Sequence, residues 1–250
     1  MKRFEDKVVL ITGAASGIGR ATAERLGAEG ATLFCADVQA EGLEETAKLV
    51  AGVGRSPDTR LADVSDAAAV GEMIADVIER HGRIDVLCNI AGILHFAHTH
   101  EHSLDKWQQI IAVNLTGTFM VCQAALPHLL ASRGNIVNMG STAGLRGHAW
   151  TAAYSASKGG VHALTYAIAM EYAEQGLRAN VICPGSVTTP MHKMFELPEG
   201  ANPKLLRRIM PPDGVFRGPE TVAATIAFIA SEDGAHINGE YIRVDGGTQS

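Results

Sequence analysis

The sequence predicts an α/β fold: a doubly wound, seven-stranded parallel sheet with helices on both faces. Three observations predict it. Short apolar or β-branched runs alternate with longer helical patterns along all 250 residues. The runs are continuously apolar, as expected of strands covered on both faces. A glycine-rich turn joins the first run to the first helical pattern, and regular β-α alternation implies parallel strands.

The elements follow in order. "KVVLIT" is the first strand, and "GIGRATAERLGAEG" a helix with Ile18, Ala21, Leu26 and Ala28 on its period. "ATLFCADV" is the second strand, followed by a helix from about Ala40 to Val50. "DTRLADV" is the third, with a helix over Ala67 to Arg80. "RIDVLCNIAG" is the fourth, and two helical stretches then run from about Ser103 to Ser132. "GNIVNMGS" is the fifth, before a long helix from Thr151 to Ala173. "LRANVICPG" and "GEYIRVDGG" complete the sheet. One domain over residues 1–250 accommodates all of this. The least regular part, Gly185 to Gly218, carries most of the prolines, and its 186–217 core reads as a substrate-binding loop or lid.

Composition excludes several classes. Hydrophobic residues make up 46 % and charged residues 19 %, a globular balance. The formal net charge is −6 with no Lys/Arg block, so a nucleic-acid surface is not expected. Cys35, Cys88, Cys122 and Cys183 lie far apart in apolar runs and read as buried thiols, which suits a reducing, cytoplasmic compartment. The first apolar run is too short for a signal-peptide core, and no segment reads as a membrane helix.

Thr12-Gly13-Ala14-Ala15-Ser16-Gly17-Ile18-Gly19 sits between the first strand and helix. Glycines there let the backbone turn sharply against a pyrophosphate, and the helix N-terminus supplies free N–H groups and a positive dipole end. Asp37 ends the second strand, where a carboxylate accepts the ribose hydroxyls of NAD and repels the 2′-phosphate of NADP. Val38 follows it and Ser16 precedes Gly17, so no basic residue welcomes an extra phosphate.

At the start of the long helix, "YSASKGG" sets Tyr154 and Lys158 at i and i+4, on one face. A phenol with a pKa near ~10 is a poor base at neutral pH, and a nearby ammonium pulls that value down. Tyr154 is therefore a candidate proton donor or acceptor for a carbonyl/alcohol couple. Ser141 ends the fifth strand at the carboxyl edge of the sheet, where its hydroxyl can meet a substrate oxygen.

Taken together, Thr12-Gly-x-x-x-Gly-Ile-Gly19, Asp63-Val64, Asn89-Ile-Ala-Gly92, Asn114, Ser141, Tyr154-x-x-x-Lys158 and Pro184-Gly185 resemble the short-chain dehydrogenase/reductase family, in its single-domain branch. The resemblance spans essentially the whole chain and implies a Rossmann-type sheet. Ile90 departs from it, standing where the family has a second asparagine. By this resemblance Tyr154 is the general acid/base, and Lys158 lowers its pKa and holds the nicotinamide ribose. Ser141 polarises the substrate oxygen, and Asn114 supports a water that links Lys158 to solvent. Asp63 and Val64 meet the adenine, while Asn89, Ala91 and Gly92 line the cofactor. Pro184, Gly185, Val187 and Thr189 approach the nicotinamide. The resemblance also implies a homotetramer built through helices carrying Ala124, Ala125, Gly159 and Gly160.

The substrate side draws on residues after Gly92, the Ser141–Tyr154 connection and the irregular insert. Ile93, Leu94, Leu145, Trp150, Met191, Met194 and Phe195 make it mostly apolar, with His95 and His148 as polar contacts. A medium-sized apolar secondary alcohol or ketone suits such a wall, an alicyclic or hydroxysteroid-like one included. Two rivals stand beside this reading. One is a 3-oxoacyl-(acyl-carrier-protein) reductase, which would more naturally use NADPH. The other is an NAD-responsive regulatory protein, which would predict a damaged catalytic set. His95, His98, His100 and His102 fall within eight residues. They do not form H-E-x-x-H, and His98 and His102 share a helical face only if the next helix begins early. No metal is expected: His95 is a substrate candidate, and the other three read as a solvated loop.

Overall fold

The computed structural model describes residues 2–193 and 196–249. Met194 and Phe195, expected in the substrate wall, lie outside the described residues. Seven parallel strands form one sheet in the order β3-β2-β1-β4-β5-β6-β7. They are β1 (Val8–Thr12), β2 (Thr32–Asp37), β3 (Asp58–Leu61), β4 (Val86–Asn89), β5 (Asn135–Met139), β6 (Arg178–Pro184) and β7 (Tyr241–Val244). The order reverses between β1 and β4, which leaves a crevice beyond their carboxyl ends.

The sequence dictates this burial directly. All residues of β1, β4 and β5 are buried, whereas the edge strands β3 and β7 alternate between exposed and half-buried positions. The two-residue period of a strand splits β1 between two cores. Val9 and Ile11 face the layer of α1 (Gly17–Ala28) and α9 (Pro219–Ala230). Leu10 faces the layer of α3 (Ala67–His81), α5 (Thr118–Ser132) and α7 (Ala152–Glu171). The remaining helices are α2 (Ala40–Ala51), α4 (Leu104–Ile111), α6 (Thr142–Arg146) and α8 (Pro190–Lys193). Asp66 caps α3 through the Ala68 N–H at 2.8 Å, and such a cap contributes about 1 kcal/mol.

The structure departs from the sequence reading in several places. Helix α9 was not expected; Pro219 at its first turn and Glu220 are the start signals that mark it. On α1 the buried face is Gly19, Thr22, Ala23, Leu26 and Gly27, while Ala28 is exposed, because α9 approaches closely over small residues. Between α4 and α5 the chain makes a π-helical turn, Ala112–Gly117, so the two stretches form one continuous helix. That helix, Leu104–Ser132, is 29 residues long and apolar enough to cross a membrane by length and composition, contrary to the sequence reading. In the fold its Val121, Cys122, Ala125 and Leu129 pack on the sheet.

Candidate active site

A cavity of about 670 Å³ opens at the carboxyl ends of the strands. One arm runs along the glycine turn. Gly13 and Gly17 have φ of 72° and 54°, and a Cβ on Gly19 would sit 1.9 Å from the Gly13 carbonyl oxygen. Only glycine permits that approach. Ser16, the N-cap of α1, makes no side-chain cap, so the first N–H groups of the helix remain available to an acceptor in the cavity. Gly13, Ser16, Gly17, Ile18 and Gly19 all line this arm.

At its far end stand Asp37, Asp63 and Val64. The Ala15 N–H donates to Asp37 Oδ2 and the Gln39 N–H to Oδ1, each at 3.0 Å, which fixes the carboxylate and leaves each oxygen a further lone pair. Ser65 donates through its N–H and hydroxyl to Asp63 Oδ1, at 2.8 and 2.6 Å. No Lys or Arg lines the wall beside Asp37 among the described residues. The nearby Arg20 is turned away, donating to the carbonyls of Ala15 and Gly42 and pairing with Glu45 at 2.7 Å. The glycine cradle, the uncapped helix end and the two carboxylates fit a nicotinamide dinucleotide.

The other arm holds Ser141, Tyr154 and Lys158. Ser141 leaves β5 as the N-cap of α6, accepting from the Ala143 N–H at 3.1 Å. Its hydroxyl also stands beside Tyr154 on the cavity wall and acts to lower the phenol's pKa. The helix period brings the Lys158 Nζ to 5.7 Å from the Tyr154 ring centre. The ammonium points elsewhere, donating to the Met139 carbonyl at 2.7 Å. The expected lowering of the Tyr154 pKa is therefore corrected. Burial pushes the phenol above its ordinary value, against the opposing influence of the Ser141 hydroxyl. Burial also pushes Lys158 down, to about 8.

Asn114 is wholly buried in the π-helical turn and does not line the cavity. Its Oδ1 accepts from the Ile93 N–H at 2.8 Å. Its amide donates to the Ile93 carbonyl at 2.9 Å and to Ser157 Oγ at 3.1 Å. It thus ties the segment after β4 to α7, one residue from Lys158. A widened helical turn at such a place is a frequent mark of function.

Several expected wall residues are brought together and others are not. Ala91, Gly92, Pro184, Gly185, Val187 and Thr189 line the cavity, as do Leu94 and Met191. Asn89 does not: its amide turns into the helix layer, donating to Cys122 Sγ at 3.2 Å and Asn138 Oδ1 at 2.9 Å. Leu145 and Trp150 also lie outside it. Trp150 sits in a positive-φ turn (64°) and is buried, its carbonyl accepting from the Ala97 N–H. His95 borders a separate side pocket of about 130 Å³ with Leu94, Phe96, Met191 and Glu196. Its ring meets His102 edge-on at 5.5 Å, and His98 contacts the Glu199 carbonyl at 2.9 Å. Helix α4 begins only at Leu104, so His98 and His102 share no helical face. Among the described residues no group of three or more His, Cys, Asp or Glu is placed to hold a metal ion.

Sequence reasoning missed Phe96, Gln109 and Val113, together with Leu206, Ile209 and Met210 from the insert. The i, i+3 spacing of Leu206 and Ile209 at a short 3₁₀ helix, Pro203–Arg208, was the available signal. Ser186 secures that segment by donating to the Ile209 carbonyl at 2.8 Å, and a bridge pairs Val187 with Arg217.

Comparison with known proteins identifies similar sequences and structures. The sequence pattern described as short chain dehydrogenase matches residues 7–199. The chain is 42 % identical to meso-2,3-butanediol dehydrogenase of Serratia marcescens, over 98 % of this chain and 95 % of that protein. It is 40 % identical to 3-oxoacyl-[acyl-carrier-protein] reductase of Thermotoga maritima, over 98 % of each. The crystal structure of levodione reductase superposes with a TM-score of 0.91 at 38 % identity, covering 98 % of both chains.

Proposed function

Because the chain belongs to the short-chain dehydrogenase family, oxidoreductases that bind nicotinamide cofactors and act on alcohols and ketones, we propose that it is an NAD-dependent dehydrogenase of a secondary alcohol. The observation that carries this reading is the convergence of Ser141, Tyr154 and Lys158 on one wall of the cavity that also holds the glycine turn. In the oxidising direction the substrate hydroxyl gives its proton to Tyr154, and Ser141 holds the same oxygen. Lys158 stands on the same cavity wall, where it would hold the nicotinamide ribose. The nicotinamide, when bound, accepts the hydride. Asn114 acts through Ile93 and Ser157, holding the segment after β4 and the helix of Lys158 in register.

The preference for NAD rests on Asp37 and on the absence, among the described residues, of a basic residue in the wall beside it. The apolar walls given by Ile93, Leu94, Phe96 and Met191 support a medium-sized apolar, alicyclic substrate, hydroxysteroid-like ones included. Segment 186–217 is read as the substrate loop of a one-domain enzyme. Exposed Phe119, Tyr166 and Met170 on α5 and α7 favour association into a homotetramer through those helices. Four free, buried cysteines suit a reducing, cytoplasmic setting.

The test is Tyr154→Phe. It should retain NAD binding and lose turnover by about 10²–10⁴-fold; wild-type activity would remove Tyr154 from the mechanism. Asp37→Ala should raise kcat/KM with NADP relative to NAD, and unchanged selectivity would refute the role of Asp37. A second reading, a 3-oxoacyl thioester reductase, is favoured by the Thermotoga maritima relative. It requires turnover of an acetoacetyl thioester with NADPH that exceeds turnover of any free alcohol with NAD.

A further inference from the structure

His148 lies in the wall shared with Ser141, Tyr154 and Lys158, and its protonation is set from behind. Gln249 reaches it from beyond β7 and is only 6 % exposed. The turn that delivers it is tightly made: the Gln249 N–H donates to Asp245 Oδ2 at 3.1 Å, and Arg243 donates to the Gln249 carbonyl. The side-chain nitrogen of Gln249 then lies 3.1 Å from the Thr142 carbonyl and 3.2 Å from His148 Nε2. A carbonyl can only accept, so the amide must present its NH₂ to Thr142; a flipped amide would set two oxygens against each other. The second amide hydrogen faces His148 Nε2. The Thr142 hydroxyl, 3.5 Å from the same nitrogen, donates to the Pro184 carbonyl at 3.2 Å. Nε2 is thereby an acceptor, and the ring proton belongs on Nδ1. The described residues offer Nδ1 no hydrogen-bond partner, although the ring borders the cavity.

We infer that His148 is a specificity residue whose Nδ1–H donates to a second oxygen of the substrate, so that the site favours vicinally oxygenated compounds (diols, hydroxyketones, diketones) over simple alcohols. Burial lowers the pKa of His148, which agrees with a ring that stays neutral. A donor left without its partner disfavours the substrate that lacks the oxygen, which is how polar sites discriminate. The inference rests on the alcohol–ketone reading above and adds the substrate class.

Matched pairs test it: cyclohexanol against 1,2-cyclohexanediol, and 2-butanol against 2,3-butanediol, with kcat/KM measured for wild type, His148→Phe and His148→Asn. Wild type should favour the two-oxygen member by about tenfold, roughly the worth of one hydrogen bond. His148→Phe should bring the ratio near one. His148→Asn, with an N–H close to where Nδ1 stands, should restore most of it, chiefly through KM. An unchanged ratio in His148→Phe, or a wild-type ratio near one, overturns the inference while leaving the dehydrogenase reading intact. Failure to turn over any pair with NAD or NADP overturns both. A readout independent of turnover is the ¹⁵N spectrum of wild-type His148. A neutral ring protonated on Nδ1 at pH 7 is expected, and an Nε2–H tautomer or an imidazolium overturns the inference.

Discussion

Lys158 is 3 % exposed, and among the described residues its ammonium has one hydrogen-bond partner, the Met139 carbonyl. That is an expensive way to keep a charge, so in the free protein Lys158 opposes stability. Its folded pKa is about 8, whereas an unfolded lysine titrates near ~10.4. Between those values the unfolded chain holds a proton that the folded chain has released, so stability from this group rises with pH across that window. Below about 8 both states are protonated and the penalty is full. Lys158→Met should therefore raise the Tm of the cofactor-free protein at pH 7, by about 2–4 °C per kcal/mol relieved. The gain should shrink as the pH rises toward 10. Thermal denaturation at pH 7 and 9.5 decides it: a loss at pH 7, or a gain that grows with pH, contradicts the account. At this scale the sequence revealed Tyr154, Lys158 and Ser141, because helical spacing and a strand end are local facts. It could not reveal the upward push on the Tyr154 phenol, because burial is a property of the assembled cavity. Nor could it orient Asn89, whose amide is claimed by Cys122 and Asn138 on other elements.

Among elements, the junction of β1 and α1 is the least forgiving. A methyl group at Gly19 would meet the backbone carbonyl of Gly13, which no side-chain rotation relieves. Gly19→Ala should destabilise the protein by about 1–3 kcal/mol, the usual range for overpacking, and abolish tight cofactor binding. Denaturation and NADH fluorescence titration measure the two effects; wild-type values for both would show that the turn can relax. Most elements were legible from apolar runs and periods. Helix α9 was not, because an evenly apolar helix packed closely on its neighbours shows little amphipathic contrast. The π-helical turn was equally silent, since its signature lies in backbone hydrogen bonds rather than residue type.

For the whole molecule, the cavity draws on the carboxyl ends of strands from both sides of the β1/β4 reversal. A dinucleotide bound there bridges the two halves and binds the folded state alone. NAD at a hundredfold excess over its Kd should stabilise the fold by about 2.7 kcal/mol. At this chain length that corresponds to a Tm rise of about 5–11 °C. NADP at the same concentration should give a smaller rise, and an equal one would remove Asp37 from cofactor selection. The parallel, doubly wound sheet and the cofactor arm were legible because the β-α alternation runs the length of the chain and the glycine turn is a compact local motif. The substrate arm was legible only in part: Phe96, Leu206 and Met210 reach it from segments that share no period with the rest.

The turn at Ala112–Gly117 also changes how the gene tolerates small deletions. Successive residues of an α-helix are rotated by about 100°, and a π-turn absorbs one residue more than an α-turn. Loss of a single codon there could regularise the helix and improve its internal hydrogen bonding. The same loss would swing Leu104–Ile111 more than a quarter of a revolution against α5 and carry Asn114 away from Ile93. An in-frame lesion that is benign for the helix would thus disconnect the pocket from the frame that aligns it.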